Sequence, residues 1–265
     1  MQRSVSCRIL ATVTMPSEVV LSIAVAGPTA ATESLTVTLD GVERAITEVE
    51  AEHQTRLHVV PDVGPGSLSV TYDATVIGVA DPPPITTLDS FRYLRPSRYC
   101  QSDELAAVAR FEFRGLEGRE LLDGVSSWVG TRLAYVEGSS RPTDSAVSTL
   151  LARQGVCRDF AHLTIAMLRA CDVPTRFVSV YAPGLDPMDF HAVVEAAVDG
   201  KWLVVDPTGL APRSTLLRIA TGRDAADTAF LSSPGNSLTL DALTVSAVTD
   251  PVLPVDDLRV PVQLS

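Results

Sequence analysis

Over the first 80 residues, apolar and polar positions alternate in short runs. SCRILATV, VVLSIAVA, SLTVTLDGV, RLHVV and SLSVTYDATVIGV are separated by Gly, Pro and Asp. A period of two between turn residues predicts β-strands. Asp40-Gly41 and Gly64-Pro65-Gly66 supply turn signals. Helical periodicity is absent here, so a small all-β sandwich is expected over residues 1–80. DPPPITTLDSFRYLRP follows, from Asp81 to Pro96. Consecutive prolines offer no N–H to a ladder or a helix, which predicts an extended connector over 81–98 and a domain boundary within it.

The pattern then becomes helical. Ser102 is placed to cap DELAAVARFEF, with Asp103 and Glu104 favourable to the helix dipole. A second helix is expected from about Glu120 to Ala134, with Val125, Trp128, Val129 and Arg132 at helical spacing. A third carries SAVSTLLAR toward Gly155, a residue suited to a helix end or a close turn. The fourth starts at or near Cys157 and ends around Cys171, before Pro174. Its broad apolar surface (Phe160, Ala161, Thr164, Ile165, Leu168) predicts a largely buried helix.

Three strands follow, TRFVSVYA, HAVVEAAV and KWLVVD, and Asp199-Gly200 joins the last two as a hairpin signal. SLTLDALTVSAV and DLRVPVQL read as further strands, with a loop and short helix in TGRDAADTAF. The two-residue turn sets a register. Val198 faces Lys201, so Val193 falls opposite Asp206, and His191 shares the face of Val193. His191 and Asp206 become diagonal cross-strand neighbours, within reach of each other. The other face of this hairpin (Ala192, Val194, Ala196, Val198, Leu203, Val205) is apolar and predicts core.

Bulk properties narrow the function. The 265 residues carry a net charge of −11, which argues against nucleic acid as a partner. The N-terminal text is interrupted by Arg8 and by Pro16-Ser17-Glu18, so neither a signal peptide nor a membrane span is expected, and a cytoplasmic location is. The four cysteines, at positions 7, 100, 157 and 171, match no zinc spacing and read as free thiols. No calcium loop is legible, and no metal or cofactor is expected. The sequence leaves the oligomeric state open.

Cys157 has two readings. A lone cysteine is often a buried structural thiol. A thiol at a helix N-terminus beside an imidazolium is instead an activated nucleophile. With His191 as proton acceptor and Asp206 as its orienting group, the three make a Cys-His-Asp variant of triad logic. The Cys157 backbone N–H is a candidate oxyanion donor, with Tyr135 or Trp128 as a second.

At these residues the sequence resembles the bacterial transglutaminase-like superfamily of papain-type cysteine enzymes. The matching text is GVCRDFAHLTIAMLRACDVPTRFVSVYAPG, DFHAVVEAAVDGKWLVVDPTGLAPR and RIATGRDAADTAF, with YLRPSRYCQSDEL and Gly138–Ser140 as lead-in. The match covers roughly Tyr93 to Phe230, and the cysteine, histidine and aspartate motifs fall at Cys157, His191 and Asp206 in family order. HAVVEAAV lacks the aromatic residue that often follows the His-Ala pair in this family.

The resemblance implies an α+β fold in which the cysteine helix packs on an antiparallel sheet, with 99–265 as the catalytic unit. It also implies acyl transfer from a peptide or amide substrate through a Cys157 thioester. Water as acceptor makes a peptidase or amidase, the leading expectation. An amine acceptor, as in a transglutaminase, and a non-catalytic binding module on the same scaffold are the alternatives.

Other polar residues take quieter readings. Asp159 is expected to favour the helix dipole, and His162, five residues past Cys157, to turn away from the sulfur. Glu195 is expected to be a surface carboxylate, with a place lining the cleft as the alternative, and Arg223 and Asp224 either to pair structurally or to sit in a loop near the cleft. Cys100 and Cys171 are expected to be buried thiols and Cys7 to lie in a strand, and no partners are evident for His53 and His58.

Overall fold

A computed structural model describes residues 1–27 and 30–264. Among these the chain opens with β1 (Gln2–Val13), β2 (Ser17–Leu21), β3 (Ala30–Leu39), β4 (Val42–Glu43), β5 (Thr47–Glu50), β6 (Arg56–Val63) and β7 (Gly66–Ile77). Helices α1 (Thr87–Arg92), α2 (Ala106–Glu112) and α3 (Gly118–Arg132) follow, then β8 (Ala134–Tyr135), α4 (Ala146–Ala152), β9 (Gln154–Gly155) and α5 (Cys157–Ala170). The remainder comprises β10 (Thr175–Tyr181), β11 (Phe190–Val198), β12 (Lys201–Val205), β13 (Leu217–Gly222), β14 (Leu231–Ser232) and β15 (Leu238–Asp250).

The first seven strands form the two layers of a sandwich. Alternation along β1 turns Val5, Cys7, Ile9, Ala11 and Val13 inward, and β7 does the same with Leu68, Val70, Tyr72, Ala74 and Val76. One sheet has the order β15-β1-β7-β3-β4 and the other β14-β2-β6-β5. The stretch 238–250, assigned by sequence to the second unit, thus pairs with β1 along its length. It covers an edge that a free N-terminal sheet would expose. The sandwich core also takes in Tyr181, Leu217, Ile219 and Ala220 from β10 and β13, so the two parts share one apolar interior.

The second part is a four-stranded antiparallel sheet, β12-β11-β10-β13, with α5 packed on it. The turn between β11 and β12 has the expected register, Val198 on Lys201 and Val194 on Val205. Asp199 and Gly200 both take positive φ, 50° and 72°, as a tight hairpin turn requires. Ala192, Val194, Ala196, Val198 and Val205 pack against α5, whose residues from Asp159 to Ala170 are all buried. Full burial of Leu163, Ile165, Met167 and Leu168 contributes roughly 1.5–3 kcal/mol per side chain. The opposite sheet face is buried too, under Ala211, Leu216 and Leu264.

Several local expectations are corrected. The connector is not extended throughout: Thr86 and Asp89 form a reciprocal capping box that starts α1. Ser102 does not cap α2, which begins at Ala106, because Ser102 N–H is drawn into a tight turn on the Cys100 carbonyl. DLRVPVQL forms no strand. Pro261 has no N–H to give, and the segment meets the sheet backbone where Val204 N–H donates to the Val262 carbonyl at 2.8 Å. Arg213 clamps this tail through Asp256 at 2.8 Å and the Asp257 carbonyl at 2.9 Å. Strand β13 lacked a sequence signal of its own, because Arg218, Thr221 and Gly222 break its apolar run.

Candidate active site

Three elements deliver the predicted residues. Cys157 is the first residue of α5, with extended backbone at Val156 before it. Asp159 in the first turn accepts a hydrogen bond from Val156 N–H at 2.9 Å and is 1% exposed. It therefore serves the helix start, as expected. Gly155 is required by close approach: a Cβ there would lie 2.6 Å from the Asp159 Cβ. The Cys157 side chain is only partly buried, whereas Cys7 and Cys100 are fully enclosed and Cys171 is partly enclosed.

His191 lies near the start of β11, and Asp206 directly follows β12. The hairpin brings them together, with His191 Nε2 2.9 Å from Asp206 Oδ2 and both side chains almost completely buried. Asp206 Oδ1 accepts from Thr208 N–H at 2.9 Å and from its hydroxyl at 2.6 Å. Sequence reasoning passed over Thr208. A threonine two residues after an aspartate is nonetheless a turn signal that locks the carboxylate. Gly130 on α3 allows this turn to approach, since a Cβ there would lie 2.7 Å from the Pro207 carbonyl oxygen.

Burial by itself would lower the His191 pKa. The Asp206 charge and hydrogen bond outweigh it, the Cys157 thiol adds to them, and the imidazole is lifted to about 10. Burial likewise opposes the Asp206 carboxylate, but His191 and Thr208 hold it below the usual range. The second ring nitrogen, Nδ1, is buried and makes no hydrogen bond of standard geometry. One face of the imidazole chemistry is thus committed to Asp206, and the thiol is its other electrostatic neighbour. A carboxylate-held imidazole beside a sulfur at a helix N-terminus can take the thiol proton, hold it as imidazolium and return it.

The remaining candidates go elsewhere. Trp128 Nε1 donates to Glu112 at 2.9 Å and its ring carries the Arg132 guanidinium, so it is not an oxyanion donor. His162 packs between Tyr99 and Phe177 and accepts from Ala225 N–H at 3.2 Å. Burial pushes it down to about 3. Asp224 is buried and accepts from Tyr99 N–H and Ala226 N–H.

Glu195 corrects the expectation of a surface carboxylate. It is 0% exposed, accepting from Arg176 Nε at 2.8 Å and from Arg218 Nη1 and Nη2 at 2.7 and 2.8 Å. Arg176 continues to His53 Nδ1 at 3.1 Å, and His53 Nε2 meets Asp89 Oδ1 at 3.1 Å. His53 therefore has partners, and so does His58, which lies 3.2 Å from Glu48. Among the described residues, no group of three or more His, Cys, Asp or Glu side chains converges as a metal cage would.

A cysteine-bearing helix packed on an antiparallel sheet, with the histidine on one strand and the aspartate just past the end of its neighbour, defines a papain-type α+β architecture. The Transglutaminase-like superfamily core matches residues 116–207. A solved structure described as "a Putative Cysteine Protease from Cytophaga hutchinsonii" is 32% identical, with a TM-score of 0.85 over 97% of this chain and 94% of that one. An uncharacterized Mycobacterium leprae protein is 30% identical over 158 residues, 56% of either chain. An uncharacterized Mycobacterium tuberculosis protein is 35% identical over 124 residues, 41% of this chain and 39% of its own. The chain spans about half the length of these curated relatives. It belongs to the transglutaminase-like superfamily.

Proposed function

We propose that the protein is a cysteine acyl-transfer enzyme that cleaves a peptide or amide bond, with water as the acyl acceptor. Cys157 is the nucleophile, His191 the proton carrier and Asp206 its orienting group. The observation that carries this reading is His191 itself, fixed at 2.9 Å by Asp206 and influenced by the Cys157 thiol.

In the resting pair His191 already holds the proton taken from the Cys157 thiol, and in the first half-reaction the thiolate sulfur attacks the carbonyl carbon. The C–S bond forms, and the carbonyl π pair moves onto oxygen. The tetrahedral species collapses, the C–N bond breaks, and His191 returns its proton to the leaving amine. Water then attacks the thioester with His191 as base, releasing the acid and restoring the resting pair. A reducing cytoplasm suits this chemistry, since it keeps Cys157 reduced.

The test is direct. The protein is mixed with a peptide-rich cell extract and quenched in acid, and the Cys157 peptide is weighed by mass spectrometry. An acyl adduct removed by hydroxylamine, and missing from Cys157→Ala, is the expected result and identifies the donor. Absence of any adduct on Cys157 across extracts and model amides contradicts the reading.

A further inference from the structure

The oxyanion formed in the first half-reaction needs donors, and the Cys157 backbone N–H supplies one. The other first-turn amides are largely engaged. Val156 N–H goes to Asp159, and Asp159 N–H to the Val156 carbonyl at 2.9 Å. Tyr135 is the polar side chain brought to the Cys157 amide. Strand β8 runs parallel to β9 with Tyr135 opposite Gly155, two residues before the cysteine. Ala134 N–H donates to the Arg153 carbonyl at 2.9 Å and Val136 N–H to the Gly155 carbonyl at 3.0 Å, so the backbone is fixed on both sides of Tyr135.

Its ring rests against Phe160 at 5.8 Å, and Phe160 is itself 3% exposed on α5. The phenol thus lies beside the Cys157 backbone N–H and is electrostatically influenced by it. Both groups stand at the N-terminus of α5, next to the nucleophile. An oxygen about 3 Å from both completes the geometry of a two-donor hole.

We propose that Tyr135 is a catalytic residue of this site, its phenol O–H joining the Cys157 backbone N–H as the second donor to the oxyanion. When the carbonyl oxygen enters, the fixed Cys157 N–H donates to it, and the phenol rotates to donate its hydrogen to the same oxygen. No proton is transferred at this step. Burial and the neighbouring Cys157 sulfur lift the phenol to about 12, which keeps it a neutral donor at ordinary pH. This inference rests on the acyl-transfer reading above.

Two electrophiles separate the roles. p-Nitrophenyl acetate acylates Cys157 through a tetrahedral oxyanion: the C–S bond forms, the C–O bond to the leaving group breaks, and p-nitrophenolate departs with the electron pair. Iodoacetamide alkylates the same sulfur by displacing iodide from a saturated carbon, with no oxyanion. In Tyr135→Phe the acylation rate constant should fall about 100-fold, while alkylation stays within about twofold. Equal losses with both reagents would overturn the proposal, assigning Tyr135 to positioning of the cysteine. Acylation that is unchanged or faster would also overturn it, the second case meaning that the phenol obstructs the amide. If the parent protein reacts with neither reagent at Cys157, the acyl-transfer reading itself has failed.

Discussion

Two histidine–aspartate pairs are buried in this molecule, and they behave in opposite ways. His191 meets Asp206 at 2.9 Å, and His53 meets Asp89 at 3.1 Å. The first imidazole is lifted to about 10. The second is pushed down to about 4, by burial first and then by the Arg176 guanidinium against the pull of Asp89. The difference lies in what faces the second ring nitrogen. At His53 an arginine donates to Nδ1, so the ring stays neutral with its proton on Nε2 toward Asp89. At His191 the charge that acts is the Asp206 carboxylate, and the other neighbouring group is the Cys157 side chain. A histidine held by a carboxylate is therefore not by itself a catalytic device. The His53 pair ties α1 and the sandwich to β10 and β11, while the His191 pair leaves a proton site available.

The largest expected difference between the pairs is in acylation. His191→Ala should lower the rate of Cys157 acylation by p-nitrophenyl acetate about 100-fold, the loss expected when the thiol must ionise without its imidazole partner. His53→Ala, assayed on folded protein with the same ester, should leave that rate within about tenfold. Comparable losses in both would erase the distinction.

Stability should sort the other way. Glu195 is held down to about 2 because Arg218 and Arg176 overcome its burial. Glu195→Ala strands two guanidinium groups and should destabilise by about 3–5 kcal/mol in urea unfolding. A loss below 1 kcal/mol would show the network to be dispensable.

Smaller effects should follow pH. An unfolded histidine titrates near 6.5. His53, depressed when folded, is neutral in both states above that value, so its contribution is lost as pH falls from about 6.5 toward 4. His162 acts in the same direction. His191, raised when folded, contributes fully below 6.5 and loses its contribution as pH rises through about 10. His53→Gln should flatten the acid limb of the stability curve measured by thermal melting and leave the alkaline limb unchanged.

How legible each pair was in the sequence follows from its range. His191 and Asp206 are joined by a two-residue hairpin whose register is set by local turn chemistry, so their pairing could be read from Asp199-Gly200 alone. Cys157 was placed by helix periodicity, and its link to the hairpin came from the family resemblance. His53 lies 123 residues from Arg176, and the left-handed backbone at His53 and Gln54 that aims it has no local marker. The return of β15 to β1 spans more than two hundred residues and was hidden for the same reason. A pattern of period two identifies a strand but not its partner. Glu195 looked like a surface residue because its cover comes from arginines on β10 and β13, distant in sequence.

The measurement closest to the central claim is the rate of Cys157 alkylation by iodoacetamide at pH 6, compared with a short cysteine peptide and with His191→Ala. If His191 and Cys157 work as a pair, the parent protein should react at least about tenfold faster than the peptide, and His191→Ala should lose that advantage. A parent rate no faster than the peptide's would contradict the assignment of Cys157 as an activated nucleophile.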